Sequence, residues 1–154
     1  MSDSKKYLTS EKLSEFTKEL SFLKTERRKQ VVESLEYAKK LGDLSENAEY
    51  NEARQQQAEV EDRINHLENL IKSAFIVDSN GGDTVSIGTS VKIQKDNDKE
   101  IKEYKIVGSE ESDMSSGKIS NLSPLGSSLL GKKKGERVTV MTPKGAVSYT
   151  LLSF

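Results

Sequence analysis

Cysteine is absent from this chain of 154 residues, and histidine occurs once. No disulfide framework can form, and a Cys/His zinc site lacks its ligands. Proline is missing from residues 1–76, so nothing there interrupts a long helix. No apolar run approaches the ~20 residues of a membrane span. The polar start, residues 1–6, lacks the apolar core of a signal peptide. Neither sign of charge is in excess: the formal net charge is −1, so no global field demands nucleic acid. These absences set the expectation of a soluble, cytoplasmic protein without a membrane role. What is plentiful is charge itself, at 32% of residues against 33% hydrophobic. That apolar share is thin for one large core and suits an exposed helical element beside a small domain.

Two periodicities divide the chain, and no internal repeat is found. Leu13, Phe16, Leu20, Leu23, Val31, Leu35 and Ala38 recur at steps of three or four, with Arg27 interrupting the stripe. Thr9 or Ser10 can cap the start, and Gly42 stands where a helix C-terminus favours a left-handed residue. A second stripe follows: Ala53, Val60, Ile64, Leu67, Ile71 and Ala74. Two helices of similar length joined by a short turn predict an antiparallel coiled-coil hairpin over 1–76. At ~1.5 Å per residue its arms span about 45 Å, so most of the hairpin projects. From residue 77 the period becomes two. Val85-Ser86-Ile87, Val91-Lys92-Ile93, Tyr104-Lys105-Ile106, Val138-Thr139-Val140 and Val147-Ser148-Tyr149 read as half-buried strands. Turn residues separate them: Asn80-Gly81-Gly82-Asp83, Asp96-Asn97-Asp98, Lys134-Gly135-Glu136 and Pro143-Lys144-Gly145. Ser123-Pro124-Leu125 opens a short helix with proline near its start. Residues 108–117 are the most loop-like stretch. The fold class is therefore α+β: the hairpin, then a small antiparallel sheet with one short helix over 77–154.

The turn between the two helices carries three carboxylates, Asp43, Glu46 and Glu49. One reading is local: Asp43 at the N-cap and Glu46 at N3 make a capping-box-like pair, and acids complement the positive end of the helix dipole. The other is chemical. Mg²⁺ prefers oxygen ligands and commonly takes one or two protein carboxylates, keeping waters and substrate phosphates for its other positions. Carboxylates on the end of a probe are then half of a magnesium site whose other half belongs to a partner.

The run Gly42-Asp43-Leu44-Ser45-Glu46-Asn47-Ala48-Glu49-Tyr50 closely resembles the tip signature of the Gre family of bacterial transcript cleavage factors, GreA type. The resemblance continues through Leu20-Ser21-Phe22-Leu23-Lys24, Arg27-Arg28, Ala53-Arg54-Gln55-Gln56-Gln57, Tyr104-Lys105-Ile106-Val107-Gly108, Ser123-Pro124-Leu125-Gly126 and Leu129-Leu130-Gly131-Lys132, covering nearly the whole chain. It implies a transcription elongation factor whose coiled coil enters the secondary channel of bacterial RNA polymerase. There it stimulates the polymerase's own hydrolysis of the nascent RNA 3′ end in backtracked complexes, and is not itself an enzyme. It further implies that Asp43 and Glu46 share a second Mg²⁺ with the polymerase and position the attacking water, no ion being stably held by the factor alone. Glu49 matches a family position but reads as structural. Asn47 and Tyr50 shape the turn or touch the polymerase, with core packing an equal reading of Tyr50. The family's C-terminal domain resembles the FK506-binding-protein (FKBP) fold, and Ser123, Pro124 and Leu125 match a segment implicated in docking to the polymerase. A helix-start proline and core leucines explain the same three residues.

Lys24, Arg27, Arg28, Lys29, Lys39, Lys40 and Arg54 form a sparse basic set on the hairpin. A solvated face with i,i+4 partners is the ordinary reading, and contact with RNA phosphates is the functional one. Arg54, which matches a family basic-patch position, is the leading RNA-binding candidate. His66 has no second ligand type beside it and reads as a surface histidine. The competing functions are a channel-binding inhibitor without cleavage support, an independent prolyl isomerase and a coiled-coil dimeriser. Residues 77–154 hold only Tyr104, Tyr149 and Phe154 as aromatics, poor material for an isomerase pocket. The close turn at Gly42 favours an intramolecular hairpin and a monomer.

Overall fold

A computed structural model of the chain describes residues 5–43, 46–79 and 81–154. Leu44 and Ser45 of the tip run, Asn80 of one turn and the first four residues lie outside that set. The elements are β1 (Tyr7–Leu8), α1 (Ser10–Phe22), a π-helical turn (Leu23–Arg27), α2 (Arg28–Lys39), α3 (Ala48–Ser73), β2 (Phe75–Ile76), β3 (Ser90–Lys95), β4 (Ile101–Val107), a 3-10 turn (Met114–Ser116), β5 (Lys118–Ser120), α4 (Pro124–Leu129), β6 (Arg137–Thr142) and β7 (Gly145–Ser153). The α+β class holds: a long helical hairpin precedes a sheet domain. Two compact units result, Leu13–Ser73 on one hand and Ala74–Phe154 with the residues before Leu13 on the other. Among the described residues no helix is long and apolar enough to cross a membrane.

In the hairpin unit the seam is built from the two stripes. Val31, Val60 and Ile64 are buried, with Leu20, Leu23 and Leu35 packed around them. Arg27, which breaks the first stripe, is the last residue of the π-helical turn, where the Arg28 N–H reaches back to the Leu23 carbonyl. On α3 the stripe steps from Leu67 to Leu70, which is buried, while Ile71 is half-buried. Ion pairs join α3 to the first arm. Arg28 grips Glu61 with two bonds of 2.7 and 2.8 Å, Arg63 grips Glu19 at 2.7 and 3.1 Å, and Lys24 pairs with Glu68. Exposed pairs of this kind contribute about 0–1 kcal/mol each, so the apolar seam carries the hairpin and the charges help to fix its register.

The sheet has the order β5-β4-β3-β7-β6. It is antiparallel except for β4 and β5, which pair in parallel. The all-antiparallel expectation fails there for a topological reason. The chain leaves β4 through residues 108–117 and the 3-10 turn, a crossover rather than a hairpin, so β5 returns in the same direction. Val85, Ser86 and Ile87, expected as a strand, form a turn. Val85 is buried and exchanges bonds with Lys132 and Gly131 (2.9 and 2.8 Å), while the Ser86 N–H donates to the Thr89 hydroxyl. Burial produced the alternation without a strand partner. Val91, Ile93, Ile106, Ile119, Val138 and Leu151 form the inner face, and Leu129 of α4 closes the core over it.

The N-terminal residues complete this unit. β1 pairs in parallel with β2, Tyr7 opposite Phe75 and Leu8 opposite Ile76. Thr9 caps α1, its hydroxyl accepting from the Lys12 N–H at 3.2 Å. The same hydroxyl donates to Glu111 Oε1 at 2.8 Å, and the Thr9 N–H donates to Oε2 at 3.2 Å. Glu111 is only 4% exposed, and Lys118 Nζ stands 3.7 Å away to offset its charge. Residues 108–117, the loop-like stretch, are thus anchored through a buried acid. Beside it, Ser10 donates to Asp78 from both its hydroxyl and its backbone N–H.

The Ser10 hydroxyl, then the Ser10 N–H, hold the Asp78 carboxyl below its ordinary value. A carboxylate depressed on folding stabilises the fold fully above its unfolded value, about 3.9 for Asp, and that contribution is lost as pH falls through the folded value. Thermal melts taken from pH 7 down to pH 3 are expected to show a smaller acid-induced fall for Asp78→Asn than for the parent chain. An unchanged fall would remove Asp78 from the acid response.

Candidate functional site

The hairpin turn begins where α2 runs out. The Lys40 and Leu41 N–H groups fold back onto the Tyr37 and Ala38 carbonyls, each at 3.1 Å. Gly42 then takes φ +132°, a conformation that L side chains rarely adopt, and among the described residues nothing lies within 4 Å of where its Cβ would stand. Glycine is demanded here by the backbone, not by crowding.

The start of α3 overturns the local reading of the acids. The cap is Asn47, not Asp43. Asn47 Oδ1 accepts from the Tyr50 N–H at 3.0 Å, and its backbone carbonyl accepts from Asn51 at 3.1 Å. Its Nδ2 donates across the turn to the Ala38 carbonyl at 2.7 Å. Asp43 and Glu46 precede the helix, both exposed, and Glu49 lies in its first turn, where it complements the dipole. Sequence reasoning missed the cap because Asp43, Ser45 and Asn47 are near-equal capping residues within five positions. The signal available was the equal rank of Asn at the position just before an uninterrupted helical pattern.

Asp43, Glu46 and Glu49 all line one concavity of about 410 Å³, together with Leu41, Asn47 and Ala48. Among the described residues no group of three or more His, Cys, Asp or Glu is arranged to hold a metal ion. Two solvated carboxylates facing one hollow suit Mg²⁺ as a partial set, since that ion takes one or two protein carboxylates and leaves its other positions to waters and phosphates.

The basic residues separate into two groups. Lys24 and Arg28 are engaged with Glu68 and Glu61, and Arg27 donates to Gln30 at 3.3 Å. Arg54 is exposed in the second turn of α3, its guanidinium 6.0 Å from the centroid of the half-buried Tyr50 ring. Tyr50 thus borders both the cap and the basic group. His66 is half-buried on α3.

On the sheet unit, Ser123 caps α4. Its hydroxyl accepts from the Gly126 N–H at 3.0 Å and donates to the Ser120 carbonyl at 2.6 Å. Pro124 follows at the first helical position and is exposed. Leu125 is half-buried against the core. All three also line a cleft of about 570 Å³ between α4, the 3-10 turn and the β6–β7 hairpin, where Met114 and Met141 are 69% and 74% exposed. One short segment therefore serves the fold and borders an apolar surface.

Residues 6–76 match the family model described as transcription elongation factor, N-terminal, and residues 79–154 match that described as transcription elongation factor, GreA/GreB, C-term. A relative named transcription elongation factor GreA, from Clostridium botulinum strain Hall, is 48% identical over 155 residues, covering 99% of this chain and 97% of its own. Its namesake from Halalkalibacterium halodurans is 47% identical over 152 residues, covering 97% and 96%. Among solved structures, the GreA factor homolog 1 (Gfh1) protein of Thermus thermophilus aligns over 97% of each chain at 24% identity with a TM-score of 0.44.

Proposed function

The chain belongs to the GreA/GreB family of transcription elongation factors, and from that premise we propose that it binds bacterial RNA polymerase through the secondary channel and stimulates hydrolysis of the nascent RNA 3′ end in backtracked complexes. The hydrolysis is the polymerase's own, and the factor acts as a monomer. One observation carries this reading: Asp43 and Glu46 are both exposed at the hairpin turn and line a common hollow, while Asn47 supplies the cap of α3.

Asp43 and Glu46 supply hard oxygen ligands and hydrogen-bond acceptors. These two residues would hold Mg²⁺ together with ligands of the polymerase, and the ion would supply a more acidic bound water and charge stabilisation at the phosphoryl oxygens. Asp43 and Glu46 would orient the attacking water by accepting its hydrogens, and their exposure lets them reach another molecule's site. Arg54 holds the extruded RNA by its phosphates, a contact that needs positive charge and no base code. Ser123 and Pro124 set the angle at which α4 presents Leu125, which with Met114 and Met141 supplies apolar anchors for docking.

The test is RNA shortening. A backtracked elongation complex incubated with the chain and Mg²⁺ is expected to release short 3′ fragments at an accelerated rate and resume synthesis. Competition for the polymerase without faster release would instead make the chain a channel-binding inhibitor.

A further inference from the structure

Eight residues separate the end of α2 from the start of α3, and Asp43 and Glu46 both lie among them. The Asn47 side chain ties the start of α3 to the end of α2. Asn47 Nδ2 donates to Ala38 O, nine positions back, at 2.7 Å, while Oδ1 of the same carboxamide accepts from Tyr50 N at 3.0 Å. The Ala38 carbonyl also accepts from Leu41, so both of its lone pairs are used at the loop's entrance. Ala38 is 1% exposed, so the bond that anchors the loop is sheltered from water.

We infer that Asn47 is a positioning residue of the tip: by tying the start of α3 to the end of α2 it sets where Asp43 and Glu46 meet the reacting centre. The inference rests on the cleavage-stimulating reading above. A cap alone needs only an acceptor, which Asp or Ser supplies as well as Asn. The second bond needs a donor on the same short side chain. Among side chains of this length, only the carboxamide donates and accepts at neutral pH. An ionised Asp at this position keeps the cap and gains from the helix dipole, but it sets a carboxylate oxygen against the Ala38 carbonyl oxygen. Ser keeps the cap and does not span to Ala38. Both substitutions preserve α3 and release the loop, which separates positioning from helix stability.

Asn47→Asp and Asn47→Ser are compared with the parent chain in three measurements: thermal melting, competition for the polymerase, and the rate of RNA shortening in a backtracked complex at saturating factor. Melting and competition are expected to stay near parental values. The saturating rate is expected to fall by about tenfold or more, the scale on which small misplacements of catalytic groups act. The factor concentration giving half the effect stays constant and the half-saturating Mg²⁺ concentration rises. A purely structural role moves melting and leaves the rate per bound factor unchanged. Parental saturating rates for both variants, with melting preserved, would overturn the inference. Asp43→Asn is run alongside. If Asp43→Asn abolishes cleavage and the Asn47 variants do not impair it, only the positioning role fails; if the parent chain itself does not speed RNA shortening, the cleavage reading fails.

Discussion

Asp43→Asn and Glu46→Gln are each expected to abolish stimulated RNA shortening while leaving folding and polymerase binding intact. Both substitutions keep shape and remove charge. Neither takes a partner from the α3 cap, because that bond belongs to Asn47. For Glu46→Gln the stability change is expected within ~0.5 kcal/mol, as for surface substitutions away from caps and cores, and melting of Asp43→Asn is measured alongside its cleavage rate. The loss of rate is expected on the order of 10²-fold or greater for each, the scale seen when one preorganised electrostatic group is removed from a reacting centre. Had Asp43 been the cap, its substitution would cost ~1 kcal/mol of helix stability, and lost activity would be ambiguous. The arrangement removes that ambiguity. Melting curves, competition with a labelled hairpin and cleavage rates on one preparation separate the outcomes. Normal trimming speed in both neutral variants would leave the acids without a catalytic part.

Much of this was legible from residues. The two stripes specify a hairpin because apolar residues at helical spacing have only one face to bury, and Val31, Val60 and Ile64 bury it. The acids were visible as unpaired with any apolar pattern. What stayed hidden was decided by contacts distant in sequence. The second bond of Asn47 goes to a carbonyl nine residues back, which local propensity does not see. The parallel β5 has three residues, too few for an alternation to register, and its direction comes from the crossover. The two-residue pairing of β1 with β2 and the burial of Glu111 against Thr9 are likewise long-range. Val85, Ser86 and Ile87 misled in the opposite sense, since a buried valine in a turn mimics a strand. Lys24 and Arg28, read by default as part of a solvated face with partners one turn away, pair instead across the hairpin with Glu68 and Glu61.

Gly126→Ala is the second large effect, and it acts on the other unit. Gly126 lies in the first turn of α4, packed against Ser120 at the end of β5. A Cβ there would overlap the Ser120 carbonyl oxygen and come within 2.9 Å of Ser123 Oγ. Neither neighbour can yield at little cost. Ser120 O accepts from both the Ser123 hydroxyl and the Ser123 N–H, and Ser123 Oγ is the cap of α4. Helix propensity favours Ala over Gly by up to ~1 kcal/mol, so a stabilising change is the outcome if local propensity governs. Overlap with backbone governs instead: overpacking of this kind costs about 1–3 kcal/mol, and for a unit of this size 2 kcal/mol lowers the melting temperature by on the order of 10 °C. Moving α4 outward also displaces Pro124 and Leu125 from the apolar cleft they share with Met141. Polymerase binding is therefore expected to weaken in Gly126→Ala, with cleavage at saturating factor retained because the tip is untouched. That pattern is the mirror of the acid variants, which bind and do not cleave. A Gly126→Ala chain that melts at or above the parental temperature and competes equally well would show that α4 tolerates the added methyl and that the cleft is not the docking face.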